Sequence, residues 1–250
     1  MRIRAFSMRN AREMLRDPVS YIFTLGMPVA MLLLYRIIAV SVEKSAGEEA
    51  AAFFALENLM PGVAVFSFGF TMLNTALLLS KDRSSAFITR LYISPLKTAE
   101  YVIGYSVPQM LFSLLQILLC FCAAFLMGMR ADFWDCAVSG LVMLPSVWLY
   151  VGLGLLIGTL LNDKAAPPVS SILVTASSLI GGVWFSPALM GEQFEAVARI
   201  FPFVHGVEAA REALLGHYAY IPIGIVLAWT AVIYAGEFIL FRWKIRRDHD

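Results

Sequence analysis

Few side chains in this 250-residue chain have types and spacings that could do chemistry. His205, Glu208 and Glu212 stand at i, i+3 and i+7 and could share one helical face, where they would offer one nitrogen and two carboxylates to a metal. An amphipathic segment outside a membrane has the same spacing. Glu237 lies in an apolar run five residues before Arg242, about 7–8 Å by helical rise, and is the carboxylate that a proton-coupled carrier would need. Arg36, also in an apolar run, lies close enough to its end to snorkel. Asn74, Gln109 and Gln116 suit hydrogen bonds between helices. Cys120, Cys122 and Cys136 are too few for a disulfide framework. The chain has no GxxxxGK[ST] phosphate loop and no HExxH helix, and Ala137-Val138-Ser139-Gly140 lacks the first glycine of a serine-nucleophile turn. No catalytic residue and no metal site is therefore expected, and the chain is read as a non-enzyme.

The elements that carry these residues follow from composition. Hydrophobic residues make up 60% of the chain and charged residues 15%, with mean hydropathy +0.75 and net charge +1. Soluble domains run nearer 45–50% apolar and about 25% charged, so a soluble globule is excluded. The balanced charge excludes a basic field for nucleic acid. The expected class is all-α: one polytopic transmembrane domain over 1–250, with six stretches of about 20 or more apolar residues at about 20–42, 58–80, 101–127, 136–161, 167–187 and 220–242. Alternate connections concentrate the basic residues: Arg2, Arg4, Arg9, Arg12 and Arg16 before the first span, four in 81–100, Lys164, and four in the tail. These hold fourteen basic residues against four in the intervening connections, which places both termini in the cytoplasm. A multi-pass protein of the cell (cytoplasmic) membrane, of prokaryotic type and in contact with membrane lipid, is expected.

Residues 1–19 read as an interfacial amphipathic helix. Arg2, Arg9, Arg12 and Arg16 fall on one side and Ile3, Met8, Ala11, Met14 and Leu15 on the other, with Arg4 and Phe6 out of place. Asp17-Pro18 ends it. A basic flank that only sets topology is the competing reading.

The loop at 82–95 carries the most specific signal. Asp82 or Ser84 can cap a short helix that Ser94-Pro95 stops. Phe87 and Leu91 at i, i+4, with Ile88 beside them, make an apolar ridge between Arg83 and Arg90. Such a ridge in the cytoplasm needs a partner to cover it, unless it folds back on the membrane surface. A transporter without its own nucleotide site could take work from a separate ATPase through it.

The order of these segments resembles the membrane (permease) subunit of a type-2 ABC exporter, the class that moves drugs, lipids and polysaccharides outward. The residues that carry the resemblance are Arg16-Asp17-Pro18 and Pro28, then Pro61-Gly62 and Arg90-Leu91-Tyr92-Ile93-Ser94-Pro95. Further on they are Gly158 with Asn162-Asp163-Lys164-Ala165, Gly181 to Pro187, and Phe201-Pro202 to Arg211. The family loop reads like Glu-x-Gly-Thr before Arg-Leu, whereas this chain has Asp82-Arg83-Ser84-Ser85.

The resemblance implies a coupling helix at 82–95 that docks an ATP-binding cassette subunit through Arg83, Phe87, Ile88, Arg90 and Leu91. It implies no cofactor in this chain, with ATP and Mg in the partner subunit, and a dimer with a second permease copy or paralogue. It also implies an outer re-entrant region at 186–219, with Trp184, Phe185, Pro187 and Phe203 as outer gate candidates. Apolar spans suit a hydrophobic or amphipathic cargo, drug-like or lipid-like. A polysaccharide or glycolipid exporter is the alternative, since aromatic residues also stack on sugars, and a proton-coupled secondary carrier using Glu237 is a further one.

Overall fold

The computed structural model describes residues 2–18, 22–46, 55–85, 98–184 and 187–247. All regular structure among them is helical. In chain order the α-helices are α1 (Arg2–Leu15), α2 (Met27–Ala46), α3 (Leu56–Ser84), α4 (Thr98–Leu126), α5 (Phe133–Val142), α6 (Leu144–Leu160), α7 (Ala166–Ile180), α8 (Glu192–Ala198), α9 (Pro202–Leu214) and α10 (Tyr220–Arg247). A π-turn (Ile22–Gly26) leads into α2, and a 3₁₀ turn (Pro187–Met190) precedes α8.

Among the described residues, five helical segments are long and apolar enough to cross a membrane: Ile22–Ser45, Leu56–Ser84, Thr98–Leu126, Phe133–Leu160 and Tyr220–Trp243. The stretch expected at 167–187 is shorter. α7 has 15 residues, or about 22 Å of rise against about 30 Å of hydrocarbon. It ends at Gly181-Gly182, where Gly182 takes the left-handed backbone (φ 67°) that a side chain disfavours. The stretch expected at 136–161 is two helices, α5 and α6, broken at Met143 with Pro145 opening the second.

α3 is the centre of the bundle, with 78% of its most apolar window buried against 22% for α10. Gly154 and Gly158, four apart on α6, let the two backbones close. A Cβ on Gly154 would lie 2.5 Å from the Met72 carbonyl oxygen, and one on Gly158 2.8 Å from Leu79 Cβ. α10 packs on the far side of α6, α7 lies against α3, and α9 sits among α3, α5 and α10.

Two prolines leave backbone carbonyls without their helical donors, because proline has no N–H. Pro28 frees the carbonyl of Thr24, which accepts from Gln116 Nε2 of α4 at 2.7 Å. Pro108 frees the carbonyl of Gly104, which accepts from Asn10 Nδ2 of α1 at 3.0 Å. Gln116 also donates to the Ser67 carbonyl and accepts from Thr71. In hydrocarbon such carbonyls must find partners inside the protein, and these two amides supply them.

Candidate functional site

The last turn of α3 holds two adjacent charges that point to different parts of the bundle. Asp82 is 3% exposed. Arg9 of α1 forks onto it, Nη2 donating to Oδ1 at 2.7 Å and Nη1 to Oδ2. The Tyr105 hydroxyl of α4 donates to Asp82 Oδ2 at 2.5 Å. Charge-assisted, two-pronged pairing of this kind is the strong form of a hydrogen bond. Partial burial pulls the Arg9 pKa down, and the bond to Asp82, with Glu13 2.7 Å away, more than offsets it, so the guanidinium titrates above its ordinary value. Beside this pair Phe6 packs on Tyr105 (centroids 5.1 Å) and Tyr101 (6.0 Å), and Tyr101 stacks on Phe241 of α10 (3.9 Å).

Arg83 turns the other way. Its Nη1 donates to the carbonyls of Gly158 (2.7 Å), Thr159 and Leu161 (3.4 Å). These are the terminal acceptors of α6, which no residue of that helix can satisfy, and a cation suits that end of the helix dipole. One turn of α3 is thus tied through Asp82 to α1 and α4, and through Arg83 to α6. Thr159 carries the link onward, its hydroxyl donating to Glu237 Oε1 of α10 at 2.7 Å.

Several sequence expectations are revised here. Asp82 does not begin a helix: α3 runs on to Ser84, so residue 82 lies inside it and faces inward. Arg83, expected beside the apolar ridge, binds the end of α6. Phe87, Ile88, Arg90 and Leu91 lie outside the described residues, as does Phe185. Phe6, out of place on the helical wheel, is one of the residues by which α1 docks, whereas Met8 and Leu15 on the apolar side remain exposed. Of the three residues spaced for a metal, His205 and Glu208 stay together, Nδ1 lying 3.8 Å from a Glu208 carboxylate oxygen, while Glu212 turns to a different partner. His205 Nε2 meets the Arg199 carbonyl at 2.9 Å, Glu208 lies 3.4 Å from Arg199 Nη2, and Glu212 lies 3.4 Å from His217. Arg36 is exposed and Glu237 is buried. Sequence reasoning missed Arg9, Asn10, Gly104 and Tyr105. The signals were present in a lone Phe–Asn pair at i, i+4 in α1 and a Gly four residues before a Pro in α4.

On the other side of α3 an apolar cleft of about 440 Å³ runs between α3 and α7. Phe66, Phe70 and Leu73 form one wall, Ser171, Val174, Thr175, Ser178 and Leu179 the other, and Trp184 borders it. Trp184 is 39% exposed, with its ring 5.7 Å from Phe66 and 6.2 Å from Tyr35. Ser171, Thr175 and Ser178 donate their hydroxyl protons to carbonyls of α7 itself, at Pro167, Ser171 and Thr175. They therefore offer the cleft acceptor lone pairs and no proton. Pro187 is buried, and Phe203 packs inward against Tyr150 (5.7 Å).

Comparison with known proteins agrees with a membrane protein built of several apolar helices. A protein of Bacillus subtilis (strain 168) named "Putative transport permease YvfS" is 22% identical over 213 residues, covering 84% of each chain. The family model described as ABC-2 type transporter matches residues 1–215. The chain is a multi-pass membrane protein of the permease kind, and it belongs to the ABC-2 type transporter family.

Proposed function

We propose that the chain is the transmembrane subunit of an ATP-driven exporter that moves a hydrophobic or amphipathic compound, drug-like or lipid-like, out of the cytoplasm. A separate ATP-binding cassette subunit, which carries ATP and Mg, supplies the work and docks on 82–95 through Arg83, Phe87, Ile88, Arg90 and Leu91. A second permease, a copy or a paralogue, completes the path. The observation that carries the reading is the cleft between α3 and α7. It is walled by Phe66, Phe70 and Leu73, offers hydroxyl acceptors from α7, and is lined by no charged side chain among the described residues. Such a lining favours apolar or amphipathic cargo over free ions. The segment from Trp184 through Phe203 is the outer gate in this reading, with Trp184, Phe185 and Pro187 at its mouth. The tie from Arg83 through Thr159 to Glu237 gives that carboxylate a partner at the same end as the docking loop, and favours a structural use for it over proton carriage.

The test is reconstitution of the chain with its ATP-binding subunit in vesicles. Phe87→Asp with Leu91→Asp is expected to abolish cargo-stimulated ATP hydrolysis while the chain still inserts. Phe70→Ala with Trp184→Ala is expected to lower stimulation by apolar cargo at least tenfold with basal hydrolysis retained. Transport that survives the first pair overturns the docking role, and stimulation that survives the second overturns the cleft.

A further inference from the structure

A second cavity, of about 620 Å³, opens at the end of the bundle that the charge alternation makes cytoplasmic. It lies where the C-terminal end of α1, the last two turns of α3 and the α6–α7 turn meet. Met14, Leu77, Leu78 and Phe112 give it an apolar lining, and Arg16 and Lys81 line it from two different elements. Neither cation takes part in an ion pair among the described residues. Asp163 lines the third side and is likewise in no ion pair there. Glu13, which is bound to Arg9, and Asp17 complete the charged lining among the described residues.

This arrangement has a specific chemistry. Apolar lining together with cations beside an amphipathic helix suits a phosphate ester on a hydrocarbon tail. Arg and Lys are the side chains that bind phosphate. A purely anionic headgroup would satisfy the two cations and leave Asp163 facing it with the wrong sign. A headgroup that also carries a primary ammonium satisfies both signs, because the ammonium donates to the Asp163 carboxylate as well as neutralising it. A quaternary ammonium has no N–H to donate. The volume falls within the ~300–1,000 Å³ of small-molecule sites. We propose that this cavity binds the phosphoethanolamine headgroup of a cytoplasmic-leaflet lipid, with phosphate on Arg16 and Lys81 and ammonium on Asp163. The bound lipid bridges α1, α3 and the α6–α7 turn beside the Arg9–Asp82 pair. This inference stands on the lining alone and does not rest on the exporter reading.

The experiment is native mass spectrometry of the full-length chain released from vesicles of equal phosphatidylethanolamine, phosphatidylglycerol and phosphatidylcholine, without nucleotide or partner. The wild-type chain is expected to retain one phosphatidylethanolamine at least tenfold over the other two. Arg16→Ala with Lys81→Ala is expected to remove that retention, and the charge-preserving pair Arg16→Lys with Lys81→Arg to keep it, which separates loss of the site from loss of the fold. Asp163→Asn is expected to bring phosphatidylcholine level with phosphatidylethanolamine. Arg242→Ala, in the exposed groove of Phe238 and Trp243 on α10, is expected to change nothing. Equal or better retention of phosphatidylglycerol, or a preference that survives removal of both cations, overturns the proposal.

Discussion

Gly104→Ala tests how α1 is held. A Cβ at residue 104 would lie 2.1 Å from Phe6 Cδ1 and 2.7 Å from Phe6 Cε1. Ordinary carbon contacts begin near 3.5 Å, so the Phe6 ring must retreat by about 1.4 Å. It cannot do so freely, because Tyr101 and Tyr105 flank it. Overpacking of this kind costs about 1–3 kcal/mol, and weakening the ring pairs adds about 0.5–1.5 kcal/mol. The usual helix-propensity gain of Ala over Gly does not offset this for docking, since α4 is helical whether α1 is docked or not. Taking about 2 kcal/mol, the undocked population rises about 30-fold. Hydrogen exchange of the amides of residues 2–15, read in lipid discs, is expected to accelerate by that factor while α6 is unchanged. Adding Phe6→Ala removes the clash, so the double variant should exchange no faster than Phe6→Ala alone. Wild-type exchange in Gly104→Ala, or strict additivity in the double variant, would refute the reasoning.

Other outcomes follow from the same geometry. Asp82→Asn leaves Arg9 facing an amide; loss of a buried charge partner costs about 3–5 kcal/mol in full burial, and less here because Arg9 is partly exposed, so a lower thermal midpoint in detergent is expected, with exchange of α1 rising most. Gly154→Ala drives a methyl into the Met72 carbonyl and Thr75, an overpacking of about 2 kcal/mol that should lower the midpoint by about 4–8 °C. Glu237→Gln keeps an acceptor for Thr159 and should leave transport within about twofold of wild type; loss of transport in a folded variant would restore the proton-carrier reading. In a background with Cys122 replaced, a cysteine at residue 184 should react with a membrane-impermeant thiol reagent at least tenfold faster than one at 203, given their exposures of 39% and 7%.

Much of this architecture is legible in the sequence because hydrocarbon imposes a length and a polarity that the chain must meet. The runs beginning near Leu56, Thr98 and Tyr220 are therefore found within a few residues. Where the reading slips, a local backbone event decides. Gly181-Gly182 cut α7 short, although the residues on either side are as apolar as those of a spanning helix. The end of α3 was harder to read for a different reason. Arg9 looks like any basic residue on a polar face, and Asp82 like a helix cap. Only the juxtaposition of two segments 73 residues apart shows that each is the other's partner. Periodicity describes one helix at a time and contains no information about pairing between helices.

The two proline-freed carbonyls bear on the order in which the chain enters the membrane. Asn10, which serves Gly104, is made before its acceptor and is waiting when α4 emerges. Gln116, which serves Thr24, is made 92 residues after it. Until then the Thr24 carbonyl faces lipid at a cost of several kcal/mol, or stays in the aqueous insertion channel. The first span should therefore leave that channel together with α4 rather than alone. Nascent chains stalled before residue 116 would keep α2 crosslinked to the insertion machinery, and chains stalled well beyond it would release both.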